Sequence, residues 1–253
     1  MTLHTMDFRG QRAWVTGAAQ GIGRQVALQL HARGAEVIGL DCQFTAEPCG
    51  FRCEHLDIAQ PAAVAQLCQR LLTEGMAPDV LINAAGILRL GNSDELSLED
   101  WQACLDVNVS GVFYLLRELV PHFKRQGRGA IVSIASNAAH VPRLQMAAYC
   151  ASKAALVSLS HCVGLELAAY GVRCNVVSPG STATPMLQAM LADAAAVERT
   201  IAGLPAQFKL GIPLGKIASP GEVANAVLFL ASAQASHITL QDLVIDGGAT
   251  LAA

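Results

Sequence analysis

The chain has 253 residues and a net charge of −3, with 53% of its residues apolar and 15% charged. One large domain with a sizeable core fits that length and balance better than two small ones. The sequence has no basic runs or low-complexity tracts, so nothing recommends nucleic acid or an anionic membrane surface as a partner.

The opening "MTLHTMDFRGQ" lacks the apolar stretch of a secretory signal, and the most apolar later segment carries His161 and Glu166, which argues against a membrane span. The eight cysteines are scattered without a repeated spacing. Cys49, Cys53 and His55 lie close together, but no second ligand pair follows, so no metal site is expected. Free thiols in a reducing cytoplasm are the plain expectation.

In chain order, "RAWVTG" reads as a first strand ended by glycine, followed by a helix over "GIGRQVALQLHARG" with Gly34 as its stop. "AEVIGLD" is a second strand, and a short strand precedes "HLDIAQ". "PDVLINAAG", "GAIVSIAS", "VRCNVVSPG" and "LVIDGG" supply the others. Most of these are nearly continuous apolar runs, as parallel strands covered on both faces should be. A long helix begins near Leu98, opened by Ser97 and the acid-rich "SLEDW". Strands alternating with helices predict an α/β, doubly wound Rossmann-type domain over 1–253, a parallel sheet with helices on both faces. Residues 185–216 break the rhythm, with helical pieces and no strand directly after them. Such an insertion is a candidate substrate lid.

"TGAAQGIG" (16–23) stands between the first strand and first helix, where a phosphate loop belongs. Gly17 permits the turn, Gly21 lets backbone approach a pyrophosphate, and Gly23 allows close helix packing; Gln20 and Ile22 ride on the same loop. The helix N-terminus offers free N–H groups and a positive dipole end to phosphates. The spacing is G-x-x-x-G-x-G, not the commoner G-x-G-x-x-G. Asp41 follows Gly23 by 18 residues, at the end of the second strand. A carboxylate there accepts the ribose hydroxyls of NAD and repels the 2′-phosphate of NADP. Asp57 has two readings, a partner for the adenine amine or a helix N-cap before Pro61.

"AAYCASKAAL" (147–156) sets Tyr149 and Lys153 on one helix face. Ser136 precedes Tyr149 by 13 residues, at the sheet edge where α/β proteins bind ligands. The ammonium, with the positive nicotinamide ring, is expected to bring the phenol from its ordinary value of roughly 10 down toward neutral pH, making it a usable base. Ser136 is placed to hold a substrate hydroxyl. Asn108, in "DVNVSG" on the long helix, either holds a water that relays protons toward Lys153 or simply kinks the helix.

Taken in order, "TGAAQGIG", "NAAG" (83–86), Asn108, Ser136, "YCASK" (149–153) and "SPG" (178–180) resemble the short-chain dehydrogenase/reductase family over essentially the whole chain. The resemblance implies a nicotinamide cofactor, here NAD, and an Asn108–Ser136–Tyr149–Lys153 tetrad in which Lys153 also orients the ribose. It implies further cofactor contacts from Asn83, Ala84 and Gly86, and from Pro179, Gly180 and Thr182 beside the nicotinamide. A homotetramer built on the long helix, the helix through 149–169 and the C-terminal strands is implied too. Longer stretches, among them "AAHVPRLQMAAYCASKAAL", "QFKLGIPLGKIA" and "ASHITLQDLVIDGG", narrow the resemblance. They are similar to family members that oxidise a carboxylated dihydrodiol to a catechol acid in siderophore biosynthesis, and they share Leu240 where the family usually carries glycine.

A dihydrodiol acid needs a cation beside it. Arg143 and Arg89 are the candidates, since a guanidinium grips a carboxylate bidentately, with Lys209 and Lys216 behind them. Met146 and Met186 are placed to face the ring. The rivals are a 3-oxoacyl-thioester reductase or another diol dehydrogenase of the same fold, and an NAD-binding sensor, which has no need of the Tyr–Ser pair.

Overall fold

Seven parallel strands make one sheet: β1 (Arg12–Thr16), β2 (Glu36–Asp41), β3 (Arg52–His55), β4 (Val80–Asn83), β5 (Gly129–Ile134), β6 (Val172–Pro179) and β7 (Asp242–Ile245). This computed structural model describes residues 6–44, 49–191 and 194–251. The spatial order is β3-β2-β1-β4-β5-β6-β7. The chain therefore runs outward from β1 to one edge, returns, and builds from β4 to the other. The reversal between β1 and β4 leaves a crevice beyond their carboxyl ends, where doubly wound sheets take ligands. Ala13–Thr16 and all of β4 are buried, so these strands carry unbroken apolar runs instead of alternation. β3, at the edge, is mostly exposed.

Helices α1 (Gly21–Ala32) and α8 (Pro220–Ala231) cover one face, packing Val26, Leu30, Val223 and Val227 against Val15, Val37 and Ile82. Helices α2 (Pro61–Thr73), α4 (Gly111–Gln126) and α5 (Ala147–Ala168) cover the other, around Trp14, Ile38, Leu81 and Ile131. Each fully buried leucine among them stabilises the fold by roughly 1.5–3 kcal/mol. The helix stop expected at Gly34 is present, with φ +90 and its N–H on His31 O at 2.9 Å. Ser97 opens α3 (Leu98–Leu105) by accepting from Asp100 N at 3.0 Å.

Two features depart from a regular pattern. The long helix is not uniform: α3 passes through a π-helical turn, Asp106–Ser110, before α4 begins. Leu240 has φ +60, the left-handed conformation that glycine adopts without strain. Its side chain fills the space above Gly164 of α5, where an added Cβ would lie 2.6 Å from Leu240 Cδ2. Packing there offsets the backbone cost.

The 185–216 segment holds the short α6 (Pro185–Gln188), α7 (Ala194–Ala202) and a 3-10 turn at Pro205–Gln207. Its residues 192 and 193, like residues 1–5 of the opening stretch, lie outside the described residues. Among the described residues no helix is long and apolar enough to cross a membrane, and no three metal-ligating side chains gather.

Candidate active site

The loop after β1 is held by backbone proximity. Thr16 Oγ1 accepts from Ala84 N at 3.0 Å and Ala85 N at 3.1 Å, stitching this loop to the end of β4. Gly17 has φ +68, and a Cβ there would sit 2.7 Å from Ala85 N. A Cβ on Gly23 would strike the Gly17 carbonyl, so only glycine lets α1 start this close to the loop. Gly21, with φ +57, faces Thr184 at the start of α6. Gln20 is the N-cap of α1 but makes no side-chain cap, and no acid stands in the first turn. The helix N-terminus is thus left with free N–H groups and its positive dipole end. The Gln20 side chain instead reaches Gln43 Oε1 at 3.1 Å, and Ile22 packs on the core, which leaves their backbone to the loop.

Asp41 does more than end β2. Its Oδ2 accepts from Ala19 N at 3.0 Å and its Oδ1 from Gln43 N at 2.9 Å, so the carboxylate latches the glycine loop. Each oxygen keeps a second lone-pair site for a ribose hydroxyl. Asp57 accepts from Ala59 N at 3.0 Å, whereas the N-cap of α2 is Gln60. The N-cap reading of Asp57 is therefore wrong. Asn83 donates to Ser133 Oγ at 3.2 Å and keeps a buried Oδ1 without a partner. The uncapped helix, the loop that any Cβ would block and the free lone pairs of Asp41 all fit a nicotinamide dinucleotide.

The π turn delivers Asn108, fully buried. Its Oδ1 accepts from Ile87 N at 2.8 Å, while Nδ2 donates to Ile87 O and Ser152 Oγ, both at 2.9 Å. Ser152 Oγ in turn donates to Tyr149 O at 2.8 Å. The extra residue of a π turn, common at functional sites, here clamps the chain leaving β4. Gly86 passes over this cluster: a Cβ on it would lie 3.2 Å from Asn108 Oδ1 and 3.3 Å from Lys153 Nζ. Ser136 caps the turn Asn137–Ala139, accepting from Ala138 N at 3.1 Å, and hydrogen-bonds the Tyr149 phenol.

Lys153 is buried and donates to Ile134 O at 2.8 Å, with Nζ 5.7 Å from the Tyr149 ring centroid. Burial pushes Tyr149 up to about 12, only partly opposed by Ser136, and burial brings Lys153 down to about 8. In the chain by itself burial outweighs the neighbouring ammonium at Tyr149, whereas the expected lowering also invokes the positive nicotinamide ring of bound NAD. Desolvation penalises both charged forms, and the lysine proton is aimed at a carbonyl.

Pro179 ends β6, and Gly180 has no room for a side chain, since its Cβ would lie 2.6 Å from Asp246 Cβ. Asp246 is itself braced by Asn137 Nδ2 at 3.2 Å and Thr250 Oγ1 at 2.7 Å. Thr182 Oγ1 donates back to Gly180 O at 3.1 Å. Thr16, Ser152, Asn137 and Asp246 are site residues that sequence reasoning missed. Their signals were a hydroxyl ending an apolar strand, the serine inside "YCASK" and the acid before a glycine pair at Asp246, while Asn137 carries no local signal beyond following Ser136.

Of the cations, Arg89 pairs with Asp100 at 2.8 Å and Lys216 pairs with Glu222, so both are committed elsewhere. Arg143 and Lys209 make no ion pair among the described residues, and the two are close enough to sense each other's charge. Met146 is the N-cap of α5 and bridges Gly91; Met186 lies on α6, partly exposed.

A family model described as enoyl-(acyl carrier protein) reductase matches residues 17–250. The chain belongs to the short-chain dehydrogenase/reductase family. Within this family, 2,3-dihydro-2,3-dihydroxybenzoate dehydrogenase of Escherichia coli (strain K12) is 58% identical over 248 residues, 98% of this chain and 100% of the relative. The protein of the same name from Bacillus subtilis (strain 168) is 43% identical, over 98% of this chain and 99% of its own. Among solved short-chain dehydrogenase/reductase structures, a gluconate 5-dehydrogenase from Burkholderia cenocepacia J2315, in complex with NADP and tartrate, matches with a TM-score of 0.87 at 30% identity over 98% of each chain.

Proposed function

We propose that this chain oxidises 2,3-dihydro-2,3-dihydroxybenzoate to 2,3-dihydroxybenzoate with NAD, a step of catecholate siderophore biosynthesis. The observation that carries it is an intact Asn108–Ser136–Tyr149–Lys153 cluster in a chain 58% identical, nearly end to end, to an enzyme of that name. Bound NAD supplies the hydride acceptor. Tyr149 takes the proton of the C3 hydroxyl while Ser136 holds that oxygen, and the carbinol carbon gives up its hydride. The ring ketone so formed tautomerises, and the gain of aromaticity draws the reaction forward. Asn108 Oδ1 and Lys153 Nζ both approach Gly86, at 3.2 and 3.3 Å from where a Cβ on it would stand, and a water beside the two would pass the proton onward.

Asp41 supports NAD over NADP: its charge stands where a 2′-phosphate would go, and its neighbour is Cys42, not an arginine. Residues 185–216 are assigned as the substrate lid, supported by the exposed Met190, Phe208 and Leu210. A homotetramer is supported by exposed Leu98 on α3, Phe113 on α4, Leu165 on α5 and Leu243 on the edge strand β7.

The test is initial NADH formation from the acid diol, the same diol without its carboxylate, and cyclohexanol. Turnover of the acid diol alone is expected; equal turnover of all three rejects the substrate. Tyr149→Phe is expected to lose turnover and keep NAD, whereas a non-catalytic sensor would be indifferent to it.

A further inference from the structure

The turn that carries Ser136 has little backbone to hold it. Ala135 N bonds Val177 O at 2.8 Å, which closes the pairing of β5 with β6. From Ser136 to His140 the backbone bonds only within its own turn among the described residues. Ala139 N bonds Ser136 O at 2.9 Å, His140 N bonds Asn137 O at 3.1 Å, and Ala138 N bonds Ser136 Oγ at 3.1 Å. Ser136 is the N-cap of this turn and His140 its C-cap, so a shift of one end moves the other.

Two side chains tie the turn down by reaching across β6. Asn137 Nδ2 donates to Asp246 Oδ2 at 3.2 Å, and His140 Nε2 donates to Asp242 Oδ2 at 2.9 Å. A carboxylate only accepts, so the His140 ring carries a proton on Nε2. Asp242 is the first residue of β7 and Asp246 the residue after its last, so the two straps bracket the strand. Asp246 has other partners, since Gly248 N, Thr250 N and Thr250 Oγ1 also bond it. Asp242 is different. Its side chain is 9% exposed, its Oδ1 is buried without a partner, and among the described residues its carboxylate bonds His140 alone. An acid buried this far is costly unless it is paired. The cost is met at one place, the far end of the Ser136 turn.

We propose that His140 and Asp242 are positioning residues for Ser136: their bond fixes the turn on β7, and with it the hydroxyl that holds the substrate oxygen beside Tyr149. The assignment rests on the dehydrogenase reading of the site. Neither side chain has to touch the substrate; both act through the turn. Ser136 hydrogen-bonds the Tyr149 phenol, and a reacting group displaced by about 1 Å loses on the order of 10²-fold in rate.

The test is steady-state kinetics of the full-length chain with NAD and the acid diol, with folded sites counted by calorimetric titration of NAD. His140→Ala is expected to lower kcat per site about tenfold, with KM for NAD within about twofold. His140→Gln, whose amide still donates to Asp242, should recover most of the loss. In a Ser136→Ala background, His140→Ala should change kcat by less than about twofold, because the group it positions is gone. A merely structural loss would add to Ser136→Ala in full. Since His140→Ala leaves a buried carboxylate unpaired, His140→Ala/Asp242→Asn serves as a second variant without that charge, and its kcat should stay down by a similar factor. Unchanged kcat in these variants, or full additivity with Ser136→Ala, overturns the assignment. If wild type does not turn over the acid diol, the proposed function falls by itself. Hydrogen exchange at the Ala138 amide, which Ser136 Oγ accepts, then judges the strap. Faster exchange in His140→Ala with β5 unchanged supports it, and equal exchange overturns it.

Discussion

Lys153 Nζ lies 5.7 Å from the centroid of the Tyr149 ring yet gives its hydrogen bond, at 2.8 Å, to the Ile134 carbonyl. The cation is near the phenol without bonding to it, and burial works against the charged form of each. Tyr149 is pushed up to about 12 and Lys153 is brought down to about 8. On the proposed mechanism, Tyr149 is expected to become a usable base when the positive nicotinamide ring joins the lysine. Ultraviolet difference titration of wild type against Tyr149→Phe isolates this phenol from Tyr114 and Tyr170. Without cofactor, no tyrosinate from Tyr149 is expected at pH 9. Saturating NAD should lower the midpoint by about two pH units or more, and NADH, with its neutral ring, by less. A midpoint below 9 in the cofactor-free chain would give the acidification back to Lys153 alone.

The lysine carries its own pH signature. Its folded pKa, about 8, lies below its ordinary 10.5. Below pH 8 both folded and unfolded chains hold the proton, so the cost of burying the charge is fully present. At about 1.4 kcal/mol per pKa unit it is on the order of 3 kcal/mol. Between pH 8 and 10.5 the unfolded chain binds more protons, so rising pH removes the cost and stabilises the fold. Cofactor-free Lys153→Met should therefore be more stable than wild type at pH 7, by ~1–3 kcal/mol after loss of the Ile134 bond. By pH 10 the difference should have largely closed. Urea unfolding at the two pH values measures it, and a difference independent of pH would show that Lys153 keeps its ordinary pKa.

The sheet was legible because β1, β4, β5 and β6 are buried along nearly all their length and so read as apolar runs. The glycine loop and the Tyr149–Lys153 pair were legible because their spacing is local. What the sequence hid is tertiary. The π turn at Asn108 depends on the chain leaving β4 at Ile87, and the direction of the Tyr149 pKa depends on burial. The charge of Arg143 felt at Lys209, 66 residues further on, has no local signature in the sequence. Leu240 was noticed as an oddity, but its left-handed backbone explains why glycine is the ordinary choice there.

Asp41 latches the glycine loop and is proposed to discriminate NAD from NADP, and the right substitution separates the two. Removing the side chain would free Ala19 N and Gln43 N along with the charge. Asp41→Asn keeps an acceptor for one of these amides and removes the repulsion toward a 2′-phosphate. KM for NAD should rise about three- to tenfold and the preference for NAD over NADP should fall by about tenfold or more, each tenfold being about 1.4 kcal/mol. Steady-state kinetics with both cofactors measures it. An unchanged preference would sink the assignment of Asp41 as the discriminating residue, leaving it only the latch on the loop.

Leu240 and Gly164 form a coupled pair. A methyl at Gly164 would lie 2.6 Å from Leu240 Cδ2 and 2.9 Å from Cys174 Cβ, inside α5 where the backbone has little freedom to retreat. Gly164→Ala should therefore destabilise the fold by about 1–3 kcal/mol, despite alanine's better helix propensity. Leu240→Gly should be nearly neutral, because relief of roughly 1–2 kcal/mol of left-handed backbone cost offsets the packing lost. Together the two changes should cost less than Gly164→Ala alone, since the leucine is gone, though the contact with Cys174 keeps the recovery partial. A double-mutant cycle in urea supplies the coupling energy, expected to be about 1 kcal/mol or more in the compensating direction. Additive effects would mean that Leu240 swings clear of the new methyl, and that its left-handed backbone is held by the Leu240 N to Cys174 O bond at 2.7 Å instead of by packing on α5.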